Sequence, residues 1–361
     1  MCLGLLLSVS NCTESPPISQ VPSYYPSGYQ SLIDAAENEG RIVIWSSTDN
    51  ERIGDALRLF ATKFPMVKIE YHEMETADLY RNFIADVKSG KHSADFVFSS
   101  AMDTQMKLVN DGYALSYESP ERTYLAPWAN WKDQAWGVTA EPVVFLANRT
   151  LLHPTEIPDS HIAFRNMLEN TTIMKNKVVS YDPTVSAFGY LVLYQDELAS
   201  PSVWRTVRGL GANNAKYYRT ADVLIEEISS GRAAFGYNIL GSYAADAATR
   251  DPRLKIITPK DYTLVSSRIA IIPSTARHPA AAKVFLDFIL SQAGQAQLAN
   301  HQLKSVRRDV PAPEHLSLAN TNERAIRVGP ALLVLQDQLT RQQFLAKWDA
   351  AIQAGKRDRP N

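Results

Sequence analysis

From Tyr29 onward, short runs of consecutive apolar residues alternate with stretches in which apolar residues recur every three or four positions. The runs fit buried strands and the spaced stretches fit amphipathic helices, which together predict an α/β architecture. Tyr29, Leu32, Ile33 and Ala36 form a helical stripe, Gly40 stops it, and Arg41-Ile-Val-Ile-Trp45 follows as a strand. Ile53, Leu57, Phe60, Ala61 and Phe64 then share one helical face, Pro65 ends that helix, and Val67-Lys-Ile-Glu-Tyr71 is the next strand, giving a strand-helix-strand crossover. Leu79, Phe83 and Val87 line a third helix. After it, Ala94-Asp-Phe-Val-Phe98 makes a strand that runs into Ser99-Ser100.

The pattern changes at Trp136-Gly-Val-Thr-Ala-Glu-Pro-Val-Val-Phe-Leu-Ala-Asn148, a long extended segment suited to carrying the chain from one lobe to another. A second series follows: a strand at Lys177–Tyr181, a helix from about Val185, a helix over Val223–Ser230, a strand at Ala233–Tyr237 and a helix through Tyr243. The strand Arg268–Ile272 is expected to lead back, and Pro279 opens a helix carrying Val284, Phe285, Phe288 and Ile289. A final helix with Leu332, Leu335, Leu339 and Trp348 is expected to brace the first lobe from outside. The predicted organisation is therefore α/β, with two Rossmann-like lobes joined by hinge strands. Residues 29–140 plus 269–361 form lobe 1 with its C-terminal bracing helices, 141–268 form lobe 2, and 1–28 are a signal remnant and linker.

With 361 residues, 45% of them hydrophobic, the chain is long enough for two cores. Lys and Arg number 37 against 38 Asp and Glu, so the net charge of -1 gives no general drive toward nucleic acid or an acidic membrane. Both cysteines, Cys2 and Cys12, fall in the first dozen residues. The body has no thiol for a disulfide, a zinc pair or a nucleophile, which fits a protein exported to an oxidising compartment. The opening Met1–Cys12 is a short apolar run followed by Ser/Pro/Tyr-rich sequence, like the end of a signal peptide. It is shorter than the roughly 20 apolar residues that span a bilayer and lacks a basic start, so a start site placed too late is expected. Leu7-Ser-Val-Ser-Asn-Cys12 also resembles a lipoprotein cleavage box that would acylate Cys12, although Asn11 stands where a small residue is usual. Release as a free periplasmic protein is the other outcome.

In an open α/β sheet, ligands bind at the carboxyl ends of strands, where helix N-termini offer free N–H groups. Four such junctions carry hydroxyl or amide chemistry: Ser46-Ser47-Thr48, Ser99-Ser100, the stretch Asp182–Gly189 with Thr184 and Ser186, and Arg219-Thr220-Ala221-Asp222. Hydroxyls and helix termini can hold an anion with few lysines. The competing role is local: Thr48-x-x-Glu51 fits a capping box, and Thr220 can cap its own helix. Arg219 and Arg268 can contact a phosphate or carboxylate, or pair at the surface. Glu141, in the extended segment, can accept hydrogen bonds from ligand hydroxyls or an amine, or simply be exposed. There is no GxSxG, P-loop, HExxH or GxGxxG signature, and the seven histidines show no helical pair at metal spacing. No enzyme, metal or cofactor is expected.

From Gly40 to about Val310 the chain resembles the ABC-importer binding proteins that include ferric-iron carriers and carriers of hexose phosphates or phosphoglycerate. Arg41-Ile-Val-Ile-Trp-Ser-Ser-Thr48, Ala94-Asp-Phe-Val-Phe-Ser-Ser100, Pro142-Val-Val-Phe-Leu-Ala-Asn148 and Ile228-Ser-Ser-Gly-Arg-Ala-Ala-Phe-Gly-Tyr237 carry the likeness, and His278–Ser291 followed by Gly294-Gln295 is its most specific piece. The resemblance implies the type II periplasmic-binding fold and capture without chemistry. Iron carriers of this family hold the metal with two adjacent tyrosines after the second-lobe strand. Here that stretch is Asn238-Ile-Leu-Gly-Ser242-Tyr243, with only the second position filled, and Ser-Ser-Thr stands where a first-lobe histidine would be. Ferric ion wants anionic oxygen donors, so the resemblance implies the organic-anion branch: sugar phosphate, phosphoglycerate or phosphonate. Ser46, Ser47, Thr48, Ser99 and Ser100 would grip one end of the ligand, and Thr184, Ser186, Arg219, Thr220, Ser242 and Tyr243 the other, with Glu141 at the hinge. The implied partner is a membrane ABC permease, or a sensor histidine kinase, for a monomeric binding protein; ferric transport is the remaining alternative.

Overall fold

The computed structural model describes residues 21–91, 93–317 and 322–358; the leader and Cys12 lie outside the described residues. Two mixed sheets form two lobes. The first contains β1 (Arg41–Ser46), β2 (Lys68–Glu73), β3 (Phe96–Ser99), β4 (Asn130–Trp131), β5 (Ala135–Gly137) and β12 (Ile269–Ile271), in the order β2-β1-β3-β12-β5-β4. The second contains β6 (Glu141–Asn148), β7 (Val178–Tyr181), β8 (Lys216–Tyr218), β9 (Phe235–Leu240), β11 (Thr263–Ser266) and β13 (Glu323–Ala325), in the order β13-β11-β6-β9-β7-β8, with β10 (Leu254–Ile257) beside β6.

Burial explains the sequence pattern. Residues 42–46 of β1 and all eight of β6 are buried, as near-continuous apolar runs require when both sheet faces are covered. The edge strand β2 is only half-buried, and it carries Lys68, Glu70, His72 and Glu73. In the first lobe, Phe285 of helix Pro279–Leu290 meets Phe60 and Phe96 at ring-centroid distances of 5.1 and 5.0 Å, locking helices to the sheet. The second lobe centres on Phe145, Phe164, Phe235 and Tyr237.

Two paired chain crossings, at residues 137–141 and 266–269, join the lobes side by side, and the segment after residue 322 crosses between the lobes again. β1 and β3 run parallel, but β12 returns antiparallel to β3 and to β5. Between the sheets the connecting strands stay paired as a two-stranded ribbon: Ser266 lies opposite Glu141, the Val138 N–H donates to the Arg268 carbonyl at 2.9 Å, and Ile269 lies opposite Gly137.

The C-terminal segment differs from the sequence expectation of a brace on the first lobe. Leu332 and Leu335 belong to a 3-10 segment, Pro330–Gln336, which packs on helix Met102–Asn110 of the first lobe, with Gln336 Nε2 donating to Asp103 Oδ2 at 2.6 Å. The final helix, Gln338–Arg357, packs instead on Val203–Ala212 of the second lobe, and Leu339 is exposed. The two helices touch backbone to backbone because Gly211 faces Ile352 and Gly355 faces Arg208; a Cβ at either glycine would collide with the opposing carbonyl. Apolar periodicity shows that a helix has a buried face but not which lobe covers it.

Candidate functional site

The C-terminal ends of β1 and β3 lie side by side, and their hydroxyls divide into two sets. Ser46, buried, accepts from the Thr48 N–H at 2.9 Å, and Ser99, also buried, accepts from the Ala101 N–H at 3.2 Å; both fasten the turns that follow their strands. Ser47 and Ser100 instead line a hollow of about 400 Å³ between the lobes. Ser47 Oγ donates to Ser99 Oγ at 3.3 Å, lies 3.5 Å from Ser100 Oγ and accepts from the Ser100 N–H at 3.1 Å, so the two strand tips are stitched together. The volume falls within the roughly 300–1,000 Å³ usual for small-molecule sites.

From the second lobe, Tyr181, Ser186, Arg219, Thr220, Asp222 and Tyr243 reach the same hollow. Ser186 also caps helix Ala187–Ala199, accepting from the Gly189 N–H at 3.1 Å. Gly189 has no Cβ to strike Tyr181, which lets this helix start close against β7. Thr220 stands at the N-cap of helix Ala221–Ser229 but makes no side-chain cap bond, so the capping role does not occupy its hydroxyl. Arg219 is exposed at the hollow and forms no ion pair or hydrogen bond among the described residues.

Besides Ser46 and Ser99, four expected ligand contacts are placed outside the lining of the hollow. Thr184 is exposed outside the hollow, its hydroxyl 2.5 Å from Asp182 Oδ1, because it sits in the turn ahead of the helix cap rather than at the cap itself. Glu141 is buried: Oε1 accepts from Thr139 Oγ1 at 2.8 Å and from Arg268 Nε at 3.0 Å, and Oε2 accepts from the Ser242 hydroxyl. Ser242 is thereby consumed as well. Thr48, expected in a capping box, is fully buried; helix Asn50–Lys63 begins from Asp49, and Thr48 Oγ1 accepts from Arg268 Nη1 at 3.2 Å. Glu141, Thr48, Ser242 and Arg268 thus form a polar floor at the ribbon, behind the hollow. Burial opposes the charge on Arg268, but Glu141 and Tyr243 outweigh it and hold the guanidinium pKa above its ordinary value.

Arg52, Asp49 and Asp246 were not anticipated. The Arg52 guanidinium stacks on Tyr243, 4.1 Å from the ring centroid, pairs with Asp49 at 2.9 Å in its own lobe and with Asp246 at 3.6 Å in the other, and donates to the Ser242 carbonyl at 3.4 Å. Tyr243 Oη completes the bridge by donating to Asp49 Oδ2 at 3.1 Å. Burial raises the Tyr243 pKa, keeping the phenol protonated for that bond. The available signal was a cation adjoining Ile53 on the buried face of its helix, immediately after the hydroxyl run.

Among the described residues no cluster of three His, Cys, Asp or Glu side chains could hold a metal, and no helix is long and apolar enough to cross a membrane.

Residues 56–317 match the model of a family described as bacterial extracellular solute-binding protein. A comparison with curated proteins finds no match. Among solved structures, a substrate-binding protein of an ABC transporter from Agrobacterium tumefaciens is similar at 33% identity and a TM-score of 0.78, over 86% of this chain and 94% of that one. AfuA from Actinobacillus pleuropneumoniae, with fructose-6-phosphate bound, shares the fold at 18% identity and a TM-score of 0.70, over 87% and 99% of the two chains. Iron-bound HitA from Pseudomonas aeruginosa does so at 16% and 0.70, over 86% and 99%. Periplasmic binding proteins of this kind are non-catalytic. The chain belongs to the bacterial extracellular solute-binding protein family and has its two-lobed type II periplasmic-binding architecture.

Proposed function

We propose that this protein captures a small organic anion, such as a sugar phosphate, phosphoglycerate or phosphonate, between its lobes and delivers it to the permease of an ABC importer. The observation that carries the reading is the convergence of Ser47 and Ser100 from one lobe with Ser186, Thr220 and Arg219 from the other on a single hollow. Hydroxyls at strand ends, beside the N-termini of helices Ala187–Ala199 and Ala221–Ser229, offer donors to an acid group without burying a row of lysines. The role of the Agrobacterium tumefaciens protein, a substrate-binding protein of an ABC transporter, supports the partner.

A thermal-shift series with sugar phosphates, phosphoglycerates, phosphonates, dicarboxylates and ferric salts tests the ligand class. A solute that binds the native state at 100 times its Kd adds about 2.7 kcal/mol and raises the melting temperature. Stabilisation by a phosphate- or phosphonate-bearing compound is expected; stabilisation by none of the organic anions would reject the reading. Ferric binding is the second reading, since Tyr181 and Tyr243 line the same hollow. It requires a phenolate charge-transfer band on ferric titration, and a flat spectrum rejects it.

A further inference from the structure

The hollow is not charged as a simple anion site would be. Asp49, Glu73, Glu75 and Asp222 line it, and Arg219 is the one basic residue in its lining. The hydroxyls of Ser47, Ser100, Ser186 and Thr220 favour an acid group, yet the carboxylates would repel one that filled the whole space. Their situations also differ. Asp49 shares Arg52 and accepts from Tyr243, and Glu73 accepts from the Asn50 N–H at 2.9 Å. Asp222 forms no hydrogen bond or ion pair with any described residue, although it stands across from Asp49 and near Asp246. Burial first, and then the charge of Asp49, push its carboxyl above the usual range, with Arg52 pulling weakly the other way.

A position in the first turn of helix Ala221–Ser229 gives Asp222 some favour from the helix dipole. That favour is of an ordinary, solvent-screened kind and supplies no counter-charge inside the hollow. Exposed on the wall of the hollow, facing other carboxylates and with no partner among the described residues, the Asp222 carboxylate is placed to attract a cation with donors to offer. Arg219, adjacent along the chain to Thr220, marks the opposite preference within the same space.

We propose that the captured solute is zwitterionic, with its phosphate or other acid group held by Ser47, Ser100, Ser186, Thr220 and Arg219 and a protonated amine held by Asp222. This rests on the organic-anion reading above and narrows it to amine-bearing members of that class. Asp222 acts as the selectivity residue, and Asp49 reinforces the negative potential from the facing lobe.

Isothermal titration with two matched pairs tests the proposal: O-phosphoethanolamine against ethyl phosphate, and O-phosphoserine against 3-phosphoglycerate. The amine-bearing member of each pair is expected to bind about tenfold more tightly or better, the scale of one charge-assisted hydrogen bond. Asp222→Asn should weaken the amine-bearing probes by about the same factor and tighten ethyl phosphate, because a repulsion is removed. Asp222→Glu, which keeps the charge, should retain the preference, a result that a purely structural role for Asp222 would not produce. Equal affinity within both pairs, or a preference that survives in Asp222→Asn, overturns the ammonium and leaves the anion reading standing. Binding by none of the four probes overturns the zwitterion, and the thermal-shift series above then decides the organic-anion reading.

Discussion

Asp287 shows how much a single side chain can be asked to carry in this protein. It is buried in helix Pro279–Leu290 and accepts hydroxyl bonds from Tyr29 at 2.7 Å, Tyr117 at 2.5 Å and Ser119 at 2.5 Å. Burial pushes its carboxyl up to about 7, against the pull of those three donors. A pKa raised on folding means that the native state binds more protons than the unfolded chain between about pH 4 and pH 7, so this group costs stability as pH rises through that window. Urea unfolding at pH 5, 6 and 7.5 should show wild-type stability falling relative to Asp287→Asn, with a limiting slope of about 1.4 kcal/mol per pH unit. Parallel pH profiles would refute the assignment. At the ribbon, Glu141→Gln removes the counter-charge of a buried guanidinium and is expected to cost about 3–5 kcal/mol in the same assay, since a buried Arg268 would be left unpaired. A loss within experimental error would mean that Arg268 is satisfied some other way. Individual residues were only partly legible in sequence. Ser47, Ser100, Ser186 and Thr220 follow from their place after strands, whereas Glu141 and Ser242 could not be separated from ligand contacts because their partners, Arg268 and each other, are about 100 residues or more away.

Elements were legible wherever one periodicity ran uninterrupted. The strand at Arg41–Ser46, the helix at Asn50–Lys63 and the helix at Pro279–Leu290 all lie where apolar spacing, Gly40, Pro65 and Pro279 place them. The C-terminal segment was misread because Leu332, Leu335 and Leu339 share a helical spacing although Asp337 caps a new helix between them, accepting from the Thr340 N–H. Glycine is what fixes the docking of that helix, and a glycine carries no hydropathy signal. Gly355→Val should therefore pry Gln338–Arg357 from Val203–Ala212 and lower stability by about 1–3 kcal/mol. Thermal melts monitored at the tryptophans check it, as Trp204 and Trp348 lie on the two helices. An unchanged melting temperature would show that the backbone contact carries no weight.

At the scale of the molecule, two lobes meet through a ribbon of paired strands and through the bridge of Arg52, Tyr243, Asp49 and Asp246 beside the hollow. That bridge favours closure, and Arg52→Ala should shift the unliganded protein toward an open form, seen as a larger radius of gyration in solution scattering. An identical scattering curve would exclude the bridge as a closing element. The two-lobed plan could be read from the sequence because each lobe repeats the same alternation of strand and helix. The charge balance of the hollow could not, since Asp49, the pair Glu73 and Glu75, and Asp222 come from three separate strand-to-helix junctions that only the fold assembles. The central claim is that one solute is held by both lobes at once. It is tested most directly by titration calorimetry of the wild type, Ser100→Leu and Thr220→Leu with whichever organic anion stabilises the protein most. The account predicts one site per chain and a loss of affinity of about tenfold or more for each variant, the first from one lobe and the second from the other. Full affinity in either variant would contradict it.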